Sequence, residues 1–220
     1  SRSHFIDTPG APDFAGHSLP ALEAVDTALV VINAVTGIEP MAQRMMLQAA
    51  ERGLDRVIIV NKIDAQGVNL AALLADIQAT FGKECLPLNL PLTQPNGGPT
   101  QVLDCFFNRA GVSDLGPVEA AHRALVEQVV EVDGAFVERY LEAGDIDATE
   151  LHAPLEQALR EGHLIPVCFV SARTGAGVRE LLDVMHHLLP HPGEGNPPAF
   201  LKGEGEAAVP MQALPDPALH

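Results

Sequence analysis

The stretch Val57-Ile58-Ile59-Val60-Asn61-Lys62-Ile63-Asp64 places four β-branched apolar residues directly before a short polar loop. β-Branched residues favour strands, and an apolar run without alternation is typical of a strand that is buried on both faces. Gly53 ends a predicted helix before this stretch, and another amphipathic pattern begins at about residue 68. The stretch therefore predicts a buried strand over 56–61 that lies between two helices.

Units of one strand and one helix recur along the chain. The predicted strands cover 4–7, 28–35, 56–61 and 164–170. The predicted helices cover about 16–26, the segment from Pro40 to Gly53, 68–81, and a segment that begins near Val178. Alternating strands and helices indicate an α/β fold in which a parallel sheet is flanked by helices. Ligands of such folds bind at the carboxyl ends of the strands.

Residues 84–158 interrupt this alternation. Residues 85–92 alternate but contain two prolines, which suit an edge strand, and a Gly/Pro-rich turn at 95–99 leads to a predicted partner strand over 101–107. A helical stretch covers about 117–161. We therefore expect an inserted α+β subdomain at 84–158, a main domain formed by 1–83 and 159–192, and a Pro/Gly-rich linker or tail at 193–220.

Charge and cysteine content exclude several classes of function. The chain has 220 residues, with 29 acidic and 13 basic side chains and a formal net charge of −16. This balance disfavours a protein that binds nucleic acid through its phosphates. The apolar runs are far shorter than the ~20 residues that a membrane helix needs. Three widely spaced cysteines fit a reducing cytoplasm better than a disulfide framework.

The first candidate site is Asp7-Thr8-Pro9-Gly10, which follows the predicted strand 4–7. A carboxylate at the end of a strand can hold Mg²⁺ through water, and a glycine lets a backbone N–H approach a phosphate oxygen. An ordinary turn is the alternative, because Asp, Pro and Gly all favour turns.

The second and third candidates follow the next strands of the predicted sheet. A carboxylate at Asp64 fits the paired N–H donors of guanine, while Asn61 can brace the loop and the stem of Lys62 can lie along the base. At Ser171-Ala172, small side chains let backbone N–H groups approach the guanine oxygen. Either segment alone could be a polar loop. Their order, each at the end of a successive strand, favours a guanine-nucleotide site.

These motifs resemble those of the translational GTPases, most closely the elongation factor G family. The resembling residues are Asp7 to Phe14, Asn61 to Asp64 and Val170 to Ala172. The long interval between the last two motifs is also similar, since that family carries an inserted subdomain there. Within it, Leu86 to Pro91 and Phe136 to Leu141 look like the family's insert.

The resemblance covers about residues 3–192 and implies a P-loop NTPase-like fold with GTP or GDP and Mg²⁺ as ligands. It implies GTP hydrolysis on the ribosome, coupled to movement of tRNA and mRNA. The roles that it implies are Mg²⁺ binding through water for Asp7, γ-phosphate sensing for Gly10, guanine recognition for Asn61, Lys62 and Asp64, and completion of the base pocket for Ser171 and Ala172.

The sequence departs from the family pattern at two points. No G-x-x-x-x-G-K-[ST] motif occurs in the 220 residues, so we expect an N-terminally incomplete domain that lacks the phosphate-binding loop and first switch. We then expect a gap in the sheet beside strand 28–35. We also expect that this chain alone binds GTP very weakly. Ala11 stands where the family has its catalytic His. Alanine cannot orient a water molecule, so slowed or differently organised hydrolysis is expected.

Acidic residues are concentrated in the predicted insert. Eleven acidic and three basic side chains lie between residues 119 and 161. Glu127 and Glu131 are one helical turn apart and share a face. A solvated helix surface explains such a pattern, and so does a docking face for a basic partner. The resemblance implies a ribosomal stalk protein as that partner. The alternative function is a non-catalytic interaction module that docks through this insert.

Overall fold

The computed structural model describes residues 3–93, 100–143, 151–189, 200–202 and 209–211. Its strands in these ranges are β1 (Thr27–Asn33), β2 (Asp55–Asn61), β3 (Cys85–Pro87), β4 (Asn89–Leu92), β5 (Gln101–Asp104), β6 (Val112–Ser113), β7 (Gly116–Pro117), β8 (Ile165–Phe169), β9 (Phe200–Lys202) and β10 (Val209–Met211). Its helices are α1 (Ala15–Ala21), α2 (Pro40–Glu51), α3 (Leu70–Phe81), α4 (Val118–Val130), α5 (Gly134–Ala143), α6 (His152–Arg160) and α7 (Val178–His187).

A parallel sheet forms the centre of the fold. Within the described residues its four strands lie in the order β1-β2-β8-β3. Alternate residues of β2 face opposite sides, so that Ile58 and Val60 pack with Met46 of α2 and Ile77 of α3. Val57 packs on the other face, against α4, α6 and α7. The predicted α/β architecture, a parallel sheet flanked by helices, is confirmed.

The predicted strand at residues 4–7 is not formed, and that prediction is wrong. Residues 3–10 have no regular secondary structure, and in the described part of the chain β1 pairs with β2 alone. Phe5 and Ile6 are exposed, as is Val31 on β1. A short apolar pattern forms a strand only where a neighbouring strand offers hydrogen-bond partners. The structure places no such strand beside residues 4–7 within the ranges it describes.

The single edge strand predicted over 85–92 is two strands in two sheets. Cys85–Pro87 is an edge of the parallel sheet, whereas Asn89–Leu92 pairs antiparallel with Gln101–Asp104. The chain leaves the parallel sheet at Leu88, whose N–H still donates to the carbonyl of Val167 at 3.0 Å. The β3 residues, which lie in the predicted insert at 84–158, therefore form an edge of the central sheet.

The helices of the predicted insert share a hydrophobic core with the sheet. Leu125 of α4 and Leu155 of α6 are almost fully buried, and they pack in the same cluster as Val57 and Ile59 of β2. The helical stretch predicted over 117–161 is divided into α4, α5 and α6. Because α6 packs on the central sheet, residues 151–158 are part of the main core rather than a separate one.

Smaller differences concern the two ends of the described chain. The helix predicted over 16–26 ends at Ala21 and continues as a 3₁₀ turn to Ala24. In the predicted tail, β9 and β10 form an antiparallel pair. The rest of that tail, at 193–199, 203–208 and 212–220, lies outside the described residues. Among the helices that are described, none has the length and apolar character needed to cross a bilayer.

Candidate nucleotide-binding site

Asn61, Lys62 and Asp64 leave the carboxyl end of β2 in one tight loop. The Asn61 Oδ1 atom accepts the N–H of Lys62 at 2.7 Å, and the carbonyl of Lys62 accepts the N–H of Ala65 at 3.0 Å. Lys62 has a φ of 67°, a left-handed conformation that no other non-glycine residue adopts in the described ranges. Such a conformation costs about 1 kcal/mol or more and is concentrated at functional sites.

Ser171 and Ala172 leave β8 next to that loop, because β2 and β8 are neighbouring parallel strands. The buried Ser171 hydroxyl donates a hydrogen bond to the Asp64 carboxylate. The N–H of Ala172 donates to the Asn61 Oδ1 atom at 3.1 Å. The structure thus brings together four predicted site residues, Asn61, Asp64, Ser171 and Ala172, which we call the Asp64 cluster.

Hydrogen bonding keeps the Asp64 carboxylate ionised. Its side chain is 9% exposed. The Ser171 hydroxyl and then the Arg173 guanidinium hold the pKa of Asp64 below its usual range, because both stabilise the charged form. An ionised carboxylate only accepts hydrogen bonds, so the cluster suits a ligand edge that carries paired N–H donors.

Asp7 and Gly10 lie on a different part of the surface. Both are exposed, and they line a cavity of about 960 Å³ beside β1. The buried Ser18 hydroxyl of α1 donates to the carbonyl of Pro9 at 2.7 Å and holds this segment against the helix. Ala11 is exposed and extended, with φ of −77° and ψ of 139°. Its methyl group cannot position a water molecule.

Asn61 and Lys62 connect these two parts. They line the cavity together with Asp7 and Gly10, and Asn61 also belongs to the Asp64 cluster. Asp64 and Ser171 do not contribute to the lining that the described residues form. The geometry is therefore a carboxylate cluster and an open cavity that meet at Asn61.

Asp7 has the chemistry of a Mg²⁺ ligand in a nucleotide complex. Among the residues that the structure describes, no three His, Cys, Asp or Glu side chains are grouped to hold a metal ion. Mg²⁺ is commonly bound by one or two carboxylates together with water and substrate phosphates. An exposed carboxylate on the wall of the cavity fits that arrangement, in which the protein alone makes no complete metal site.

The three cysteines have no catalytic character. Cys85, Cys105 and Cys168 are buried free thiols. Burial raises the pKa of each to about 12, so none is a thiolate near neutral pH. They pack as small core residues.

Glu127 and Glu131 are both exposed at the end of α4. On the same face Arg123 forms an ion pair with Glu119 at 3.2 Å, one turn before Glu127. Asp145, Asp147 and Glu150, which also contribute to the acidic count of the predicted insert, lie outside the described residues.

Sequence reasoning assigned no role to Arg173 or Gly177. The Arg173 Nε atom donates to Asp64 Oδ2 at 2.7 Å, and its Nη2 atom contacts the same oxygen. Gly177 has a φ of 74°, and a Cβ there would lie 2.2 Å from the Phe169 carbonyl oxygen. The two glycines directly before α7, Gly175 and Gly177, were a sequence signal for an unusual backbone conformation there. Arg173 carried none, since its partner is 109 residues away.

Comparison with known proteins assigns this chain to a family. Residues 1–191 match the family model of the elongation factor Tu GTP binding domain. The chain belongs to that family. Within the elongation factor Tu GTP-binding domain family, it is 32% identical over 215 residues to an elongation factor G-like protein of Mycobacterium tuberculosis. It is 29% identical over 212 residues to elongation factor G 2 of Syntrophus aciditrophicus.

A solved structure and the relatives' lengths define the extent of this similarity. A crystal structure of a protein from Thermus thermophilus is similar with a TM-score of 0.74 and 32% identity, over 86% of this chain and 30% of that one. The matches cover 93% and 89% of this chain but only 30% and 31% of the two curated relatives. The chain therefore spans about a third of the length of the proteins that it resembles.

Proposed function

We propose that this chain is part of the guanine-nucleotide-binding domain of a translation factor resembling elongation factor G. In such a factor, GTP hydrolysis on the ribosome is coupled to movement of tRNA and mRNA, and the factor acts in the cytoplasm. The observation that carries the proposal is the hydrogen bond from Ser171 to the Asp64 carboxylate, which joins two loops 107 residues apart. Family membership favours this function over that of a non-catalytic interaction module.

Asp64 is the proposed determinant of base specificity. Guanine presents its N1–H and N2–H₂ donors on one edge, and a carboxylate accepts from both. Adenine presents a lone pair at N1, which a carboxylate repels. Asn61 and Lys62 hold the loop at this position, and Ser171 and Ala172 form the adjoining wall. The support is the donor and acceptor chemistry of these side chains and their grouping at the ends of β2 and β8.

Asp7 and Gly10 are the proposed contacts on the phosphate side. The Asp7 carboxylate would hold Mg²⁺ through water, and the metal would neutralise charge on the phosphates. Gly10 is exposed and has no atom within 4 Å of the position of a Cβ, so a phosphate can approach its backbone without a steric clash. Ala11 would leave the attacking water without a side-chain partner at this point.

Binding of GDP and xanthosine diphosphate by an Asp64→Asn variant tests the proposal. The amide has one acceptor and one donor, which match the N1–H and C2 carbonyl of xanthine but oppose the N2–H₂ group of guanine. We expect the affinity of the complete protein for GDP to fall by about tenfold or more, and the affinity for the xanthine nucleotide to rise. Asp76→Asn, on the exposed face of α3, is the control. Unchanged GDP affinity in Asp64→Asn would contradict the proposal.

Glu127 and Glu131 are the proposed docking residues for a basic ribosomal partner, for which the stalk protein is the candidate. Both carboxylates are exposed, Glu127 on α4 and Glu131 directly after its last residue. That helix is packed on the central sheet and so is fixed relative to the nucleotide site. Charge complementarity at such a face steers association and depends on ionic strength.

A further inference from the structure

Arg173 lies across the acceptor edge of Asp64. Its Nε donates to Asp64 Oδ2 at 2.7 Å, and its Nη2 contacts that oxygen as well. Ser171 donates to the other oxygen, Oδ1. The two partners of this ion pair differ in exposure: the Arg173 side chain is 77% exposed, and that of Asp64 is 9% exposed. The carboxylate is thus built into the protein, whereas the guanidinium approaches it from the solvent side.

We propose that Arg173 is an internal competitor of the base, occupying the guanine-reading carboxylate until the nucleotide displaces it. This inference rests on the proposed function, because it requires that Asp64 binds guanine. Arg173 then lowers the affinity of that site for the nucleotide and slows nucleotide association.

The competition follows from the chemistry of the two donors. The N1–C2–N2 edge of guanine is a guanidine unit within the ring, and it presents two N–H groups in one plane. The side chain of arginine presents the same unit in the same geometry. A carboxylate has about four lone-pair positions, of which Ser171 takes one and Arg173 takes two. One position remains, and guanine needs two.

The exposure of Arg173 sets the size of the effect. An ion pair with one solvent-exposed partner is worth about 0.2–1 kcal/mol, which corresponds to a factor of about 1.5 to 5 in an equilibrium constant. With the closed and open states populated in that ratio, apparent nucleotide affinity is reduced by about 2.5- to sixfold, because only the open fraction can bind. The pair is also screened by salt, so the reduction should diminish as ionic strength rises.

An Arg173→Met variant of the complete protein tests this inference, because Met keeps an unbranched side chain and removes every donor. GDP affinity and the association rate are measured at low and high salt. We expect Arg173→Met to bind GDP about 2.5- to sixfold more tightly than the wild type at low salt, mainly through faster association. The difference should shrink at high salt. Arg179→Met, an equal change of charge at an exposed position on α7, controls for the loss of one cation near the nucleotide.

Equal or weaker GDP binding by Arg173→Met, relative to the Arg179→Met control, would overturn the inference and leave the proposed function standing. A gain that stays constant across salt concentrations would also overturn it, because the ion pair would not be its source. Failure of the wild type and of both variants to bind GDP would overturn the proposed function, and this inference with it.

Discussion

The side chain of Asn89 hydrogen-bonds both backbone groups of Phe169. Its Oδ1 accepts the N–H of Phe169 at 2.7 Å, and its Nδ2 donates to the carbonyl at 3.1 Å. Asn89 is buried at the point where the chain has left β3, so its amide continues the ladder along β8 after the edge strand has ended. Phe169 is two residues before Ser171. The insert hairpin therefore supports the strand end that carries one wall of the proposed base pocket.

Asn89→Ala should destabilise the protein and loosen that strand end. The substitution leaves the N–H and the carbonyl of Phe169 without these partners in a buried position, at a cost of about 1–3 kcal/mol in the free energy of unfolding. Urea denaturation measures the loss. Gln43→Ala removes an amide from the exposed face of α2 and should change stability by less than about 0.5 kcal/mol. Equal effects of the two substitutions would show that the contact with Phe169 has no energetic importance.

Gly177→Ala should be far more damaging than Gly175→Ala. Both glycines have positive φ, 74° and 84°, so each substitution forces alanine into a left-handed conformation at about 1–2 kcal/mol. Only at Gly177 does the new Cβ meet backbone, 2.2 Å from the Phe169 oxygen, whereas nothing lies within 4 Å at Gly175. We expect a further loss of at least about 2 kcal/mol at Gly177, measured by thermal unfolding of the two variants in parallel. A similar loss at both positions would contradict the role of the close approach.

Asp55 should make the protein less stable as the pH rises. Burial raises the pKa of Asp55 to about 6, and neither carboxylate oxygen has a hydrogen-bond partner among the described residues. The folded state therefore holds the proton more tightly than the unfolded state, whose carboxyl titrates near pH 4 (about 3.9 in peptides). The contribution to stability is present below about pH 4 and is lost as the pH rises through about 6.

Asp55→Asn should remove this dependence. The amide keeps the shape without the buried charge, so we expect the free energy of unfolding at pH 7 to rise by roughly 1–3 kcal/mol and its slope between pH 4 and 7 to flatten. Asp76→Asn, at an exposed site, should leave the pH profile as it is. A variant less stable than the wild type at pH 7 would contradict the expected sign.

Ala11→His should increase ribosome-stimulated GTP hydrolysis by the complete protein. The backbone at Ala11 is extended and its side chain is exposed, so histidine can be accommodated without strain. A side chain that orients or activates water increases the rate by about 10²-fold or more. Ala71→His, on the exposed face of α3, is the control for an added imidazole. Turnover that remains at the wild-type value would indicate that hydrolysis does not depend on this position.

Reversal of charge at Glu127 and Glu131 should weaken binding to the basic ribosomal partner. The double substitution to Lys turns an attraction into a repulsion, and the loss of affinity should be greatest at low salt. The same change of charge at Glu51 and Asp76, both exposed on other helices, controls for net charge. The test is the affinity of each double variant for the stalk protein at several salt concentrations. Equal losses in the two double variants would indicate that Glu127 and Glu131 only form a solvated helix surface.

The sequence predicted the parts of the fold that depend on local pattern. The β-branched run at 57–60 and the apolar stretch at 164–170 lie in buried strands. Composition alone predicts such strands, so the sequence also indicated where the loops after them begin. The grouping of Asn61 with Ala172 followed, because neighbouring parallel strands end at the same edge of a sheet.

Features that depend on distant partners could not be predicted. Residues 4–7 have a strand pattern but no strand beside them within the described ranges, and the division of 85–92 depends on which residues β8 can pair with. The contact between Arg173 and Asp64 joins residues that are far apart in sequence. None of these is encoded in the spacing of apolar and polar residues.

The position of the Asp64 cluster at the ends of β2 and β8 has a consequence for amide hydrogen exchange. Those two strands have neighbours on both sides, whereas β1 and β3 each have one neighbour in the described sheet. Amides of central strands exchange only through the largest openings of a protein, and those of edge strands exchange through small ones. Deuterium uptake should therefore be slowest in the strands that carry the base-reading loops. Nucleotide binding should slow amide exchange in these two strands very little. The additional slowing should instead occur in residues 3–10 and β1, which line the open cavity.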